Sequence, residues 1–77
     1  MTNALTAQRA AVAAEVRAWM GRRRATQADL ATALGKSQPY VSRRLSGEVA
    51  FDTDDLFRLA EHFNVGVADL LERPHSG

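Results

Sequence analysis

Apolar residues recur along this chain at helical rather than strand spacing. Leu5, Val12, Val16 and Trp19 share one face, and the alanine pairs at 10–11 and 13–14 raise helix propensity, which predicts a first helix over 5–23. Leu30, Ala31 and Leu34 mark a second, short helix over 27–34. Thr26 and Asp29 form a capping-box pattern at its start, and Gly35 supplies the left-handed residue that closes it. Ser37 is a good N-cap for a third helix over 38–45, in which only Val41 and Leu45 look inward. Behind a second capping pattern, Asp52 with Asp55, the residues Leu56, Leu59, Ala60 and Phe63 fall at i, i+3, i+4 and i+7 and predict a fourth helix over 53–63. Asn64 suits its C-terminus, and Phe51 is placed to plug the core from the preceding loop. Gly66 as N-cap, then Val67, Leu70 and Leu71, give a last short helix before Pro74.

No sustained alternation and no hairpin dipeptide interrupts this pattern, so the expected fold class is all-α with five helices. The 77 residues form one small domain over 5–72, with a frayed Met1–Ala4 and a tail at 73–77. Cysteine is absent, which removes a disulfide framework and a thiolate zinc site and leaves helix packing as the source of stability. No run approaches the roughly 20 apolar residues that span a bilayer, and no signal-peptide order is present. A cytoplasmic protein without membrane contact is expected.

The net charge of +1 conceals an asymmetry. Residues 1–47 carry Arg9, Arg17, Arg22, Arg23, Arg24, Lys36, Arg43 and Arg44 against Glu15 and Asp29, a balance of +6. Residues 48–77 carry Arg58 and Arg73 against Glu48, Asp52, Asp54, Asp55, Glu61, Asp69 and Glu72, a balance of −5. One half faces a polyanion and the other repels it, which orients the domain on encounter. The carboxylates sit at helix starts, where capping explains them, and there is no glycine-rich phosphate loop or activated nucleophile. An enzyme is therefore not expected. His62 and His75 lack acidic or cysteine partners at ligand spacing, so neither a metal nor a cofactor is read.

The stretch Thr26–Gly47, two short helices joined by a glycine turn, is a helix-turn-helix pattern. Its second helix leaves Gln38, Pro39, Tyr40, Ser42, Arg43 and Arg44 for a partner. Tyr40 either gives its hydroxyl to a phosphate, the favoured reading, or packs its ring against the preceding helix. Trp19, in phase with Val12 and Val16, is read as core. Arg22, Arg23 and Arg24 either form a solvated helix end or touch phosphates, with the two readings evenly weighted.

Gln27, the Asp29-Leu30-Ala31 run, Leu34-Gly35, Ser37-Gln38, Val41-Ser42-Arg43, Ser46-Gly47-Glu48, Asp55-Leu56, Leu59-Ala60, and Asn64-Val65 through Leu70-Leu71 together resemble the phage-repressor-like helix-turn-helix family, the group of the lambda and 434 repressors, Cro and the XRE regulators. The resemblance covers residues 12–71. It implies that Gln27 buttresses a phosphate contact, that the third helix lies in the major groove, and that Gln38, Pro39, Ser42 and Arg43 read bases. Ser37 falls among the phosphate-facing residues. Pro39 departs from the family's usual polar residue and offers only an apolar contact. Arg44 stands where the family often has an apolar or aromatic residue, and reaches a phosphate or is solvated.

The implied function is a sequence-specific double-stranded DNA-binding transcriptional regulator, a small phage or prophage repressor or a Cro-like protein. The alternatives are an antitoxin-type autorepressor, or a protein-interaction module that has lost DNA binding. A homodimer on a pseudo-palindromic operator is expected. Phe57 lies off the apolar stripe of the fourth helix and joins Val67 and Leu71 in a dimer patch, or else folds back on the last helix.

Overall fold

The structure, a computed structural model, describes residues 4–71. The tail expected at 73–77, with Pro74 and His75, and the first three residues of the expected frayed N-terminus lie outside them. Four α-helices follow in order: α1 Ala4–Arg23, α2 Gln27–Leu34, α3 Gln38–Leu45 and α4 Thr53–Phe63, then a 3-10 turn over Val67–Leu70. No strand occurs among the described residues. The expected fifth helix is thus a single 3-10 turn. Asp69 N–H bonds the Gly66 carbonyl at 2.9 Å and Leu71 N–H that of Ala68 at 3.2 Å, and Leu71 is already extended. One such turn closes i+3 bonds without reaching the length that would sustain an α-helix.

The helix ends are set by the residues the sequence marks. Thr26 and Asp29 form a reciprocal capping box on α2, and Asp52 and Asp55 form one on α4. Gly35 (φ 65°) and Asn64 (φ 59°) close α2 and α4 in the left-handed conformation. At the end of α1 that role falls to Arg24 (φ 54°), while Ala25 N–H reaches the Met20 carbonyl at 2.9 Å. Ser37 caps α3 by accepting from Tyr40 N–H.

The core is contributed by every element: Val16 from α1, Leu30 and Leu34 from α2, Val41 and Leu45 from α3, Leu59 and Phe63 from α4, and Leu70 from the 3-10 turn. Phe51 enters it from the loop, as expected. Leu5 does not; it is 65% exposed, at a groove it lines with Val12, Phe51 and Leu56. Trp19 packs on the margin of the core, with its indole N–H donating to the Asp69 carbonyl at 3.2 Å. No helix among the described residues is long and apolar enough to cross a membrane.

Candidate nucleic-acid interface

At about 100° per residue, α3 presents three faces. Val41 and Leu45 point into the core. Gln38, Pro39, Ser42 and Arg43 lie together on an outward arc of roughly 140° and are all exposed. Tyr40 and Arg44 occupy the third face, directed toward the start of α4. The short turn around Gly35 sets α3 across α2, and Ala31 and Val41 are buried between them. Gln27, the first residue of α2, is exposed. Ser37 accepts the Tyr40 N–H at 3.3 Å and keeps its hydroxyl proton to donate. The far end of α3 is closed locally: Ser46 Oγ donates to the Arg43 carbonyl at 2.8 Å, and Glu48 N–H reaches the same oxygen at 3.1 Å.

The third face differs from expectation. The Tyr40 hydroxyl donates to Asp55 Oδ2 at 2.6 Å rather than standing free for a phosphate. Its ring is partly buried against the core; the Arg44 guanidinium lies 3.3 Å from the ring centroid and also donates to the Tyr40 carbonyl at 3.1 Å. Arg44 is therefore neither solvated nor directed outward. The bond to Asp55, then burial and the Asp55 charge, hold the Tyr40 hydroxyl above the usual tyrosine pKa.

Arg17, Arg22 and Arg23 of α1, though exposed, also place their guanidinium groups against the protein. An Arg17 guanidinium N–H donates to the Leu45 carbonyl, the last of α3, and Arg23 Nε donates to the Phe63 carbonyl, the last of α4, at 2.9 Å. Cations at helix C-termini meet unsatisfied carbonyls and the negative end of the helix dipole. Arg22 and Arg23 lie 4.6 Å and 4.9 Å from the Trp19 ring centroid. Arg24 is exposed beside the entry to α2. None of these carbonyl contacts was visible in the sequence. Of the three residues assigned to a dimer patch, Phe57 is 58% exposed and Leu71 41%, whereas Val67 is half-buried and packs on the core. Phe57 therefore does not fold back under the last turn.

An all-helical domain with an exposed, chemically mixed second helix after a glycine turn defines a helix-turn-helix protein. The helix-turn-helix family model matches residues 16–70, and the chain belongs to that family, the lambda-repressor-like and XRE group of DNA-binding regulators. Comparison with curated proteins and with solved structures gives no match.

Proposed function

We propose that the protein is a sequence-specific transcriptional regulator of the small phage-repressor or Cro type, reading the major groove of double-stranded DNA with α3. The observation that carries this reading is the outward arc of Gln38, Pro39, Ser42 and Arg43, four exposed side chains on a helix whose other two faces are occupied. Glutamine pairs bidentately with adenine and arginine with guanine, Ser42 donates or accepts, and Pro39 suits a thymine methyl. Gln27, Ser37, Arg22 and Arg24 flank the arc as phosphate contacts. Tyr40 and Arg44 support them from the half-buried third face of α3, and Arg23 through its bond to the end of α4. A short recognition helix reads few base pairs, so two copies on a pseudo-palindrome, half-sites about 34 Å apart or a multiple of it, supply the specificity. Exposed Phe57 and Leu71 favour self-contact on the acidic side.

Selection of bound duplexes from a random pool, followed by footprinting and sedimentation, tests this. An enriched motif with two-fold symmetry is the expected result. Absence of any enriched sequence favours the protein-interaction module, and protection of one asymmetric half-site by a monomer removes the dimer.

A further inference from the structure

Asp55 is the buried charged residue among the described residues, 1% exposed, and it does two tasks at once. It closes the capping box of α4, with its Oδ2 accepting from Asp52 N–H at 3.3 Å, and the same oxygen accepts the Tyr40 hydroxyl at 2.6 Å. Arg44 completes the cluster: its Nε stands 3.8 Å from that oxygen, beyond hydrogen-bond reach but close enough for attraction, while its guanidinium covers the Tyr40 ring. The backbones of α3 and α4 are not among the closely packed helix pairs; α3 packs on α2 and α1. These three side chains tie α3 to α4 by directed polar contacts, beside the apolar core that both helices share.

We propose that Asp55 and Tyr40 are positioning residues for base reading: the Tyr40–Asp55 bond, clamped by Arg44, fixes the rotation of α3 about its own axis and so the aim of Gln38, Ser42 and Arg43. This rests on the operator-reading function proposed above. The fully buried core contacts of α3 come from Val41 and Leu45, both on one side, with the Tyr40 ring partly buried against the same core, and apolar contacts of this kind resist a roll of the helix only weakly because they are non-directional. A hydrogen bond on a second face, between a tyrosine and a carboxylate held rigidly by its own capping duty, removes the roll. Base edges demand one aim, whereas phosphates accept a range of them, so the brace serves discrimination rather than overall affinity.

The test uses the full chain and two substitutions. Tyr40→Phe removes one oxygen and keeps the ring under Arg44. Its affinity for the selected operator falls by about three- to tenfold, because only a fraction of the molecules holds the competent aim, while its affinity for a random-sequence duplex is unchanged. Tyr40 is the chain's one tyrosine, so ultraviolet titration reports it alone. The midpoint lies above the usual value in the wild type and moves down toward it in Asp55→Asn, with Arg44, Asp52 and Lys36 the other charges facing the ring. Equal loss on operator and random DNA places the hydroxyl on a phosphate and overturns the brace. So does an operator preference that Tyr40→Phe leaves intact, or a tyrosine midpoint that Asp55→Asn does not move. A wild type without any preferred sequence overturns the operator-reading function itself, and the brace with it.

Discussion

The end of α1 and the outward arc of α3 are both basic, and in sequence they look alike. Their arginines nevertheless have opposite occupations. Arg17 and Arg23 turn back onto the protein, each ending on the last carbonyl of another helix, and Arg22 and Arg23 lie against Trp19. Arg43 has no such internal engagement for its guanidinium and is exposed, while its neighbour Arg44 is held over Tyr40. A tally of positive charge therefore overstates what this surface offers to a phosphate backbone. Part of the +6 half closes helix termini, while Arg24 beside the entry to α2 and Arg43 on α3 are exposed with their guanidinium groups outside those contacts.

The strongest way to break this division is to remove the anchor of the inward set. Asp55→Ala leaves the Tyr40 hydroxyl without its acceptor and the Arg44 guanidinium without its facing charge, and it opens the α4 capping box, so unfolding stability falls by about 3 kcal/mol. Urea denaturation followed by circular dichroism measures it. A loss no greater than that of an exposed residue would show that the cluster is ornamental. Next in size, Arg43→Ala costs about 2 kcal/mol of binding to the preferred duplex, since a bidentate guanine contact is lost. Its unfolding midpoint should not move, because Arg43 supports nothing inside the protein except through its backbone carbonyl. Titration of labelled operator and random duplexes separates the two quantities.

Arg23→Ala inverts that pattern. It removes a charge-assisted bond to the Phe63 carbonyl and a contact with Trp19, and stability falls by about 1 kcal/mol. Operator and random DNA should both be bound nearly as before. If instead the salt slope of binding drops by about 0.9 with no change in stability, Arg23 is a phosphate contact and the two basic regions are alike after all.

Much of the fold was legible because the signals that define it are local. Thr26 with Asp29, Ser37, Asp52 with Asp55, Gly35 and Asn64 each act within a few residues, and each caps the helix it was expected to cap. The last helix was overread because three apolar residues fit a 3-10 turn as well as an α-helix. Leu5 was overread because periodicity records phase and is blind to how much of a helix face its neighbours cover. At the candidate interface spacing marked Val41 and Leu45 as the inner face of α3 but did not separate the exposed arc of Gln38, Pro39, Ser42 and Arg43 from the face of Tyr40 and Arg44. The inward arginines were not: Arg17 and Leu45 are 28 residues apart, Arg23 and Phe63 are 40 apart, and Tyr40 meets Asp55 across 15. An arginine suits a phosphate, a helix terminus and an aromatic face equally well, and only the tertiary arrangement chooses.

The smallest expected effect concerns the junction between the two regions, where the chain leaves the arginines of α1 and enters α2 beside Gln27. Thr26 N–H donates to Asp29 Oδ2 at 2.8 Å, and Asp29 N–H donates to the Thr26 hydroxyl at 3.1 Å. The Thr26 backbone bond chiefly, then its side chain, holds the Asp29 carboxyl below its ordinary value of 3.8. A carboxyl whose folded pKa is depressed adds stability that is complete above the unfolded value and disappears as pH falls through the folded one. The wild type should therefore exceed Asp29→Asn in stability at pH 7, with the difference closing only below about pH 3.8. Because the group is fully exposed and screened by solvent, the gap is modest, and comparing the two proteins at each pH cancels the titration of every other carboxylate. A gap that persists unchanged at pH 2 would mean that the asparagine strains the turn rather than lacking a charge, and the α2 capping box would lose its electrostatic part.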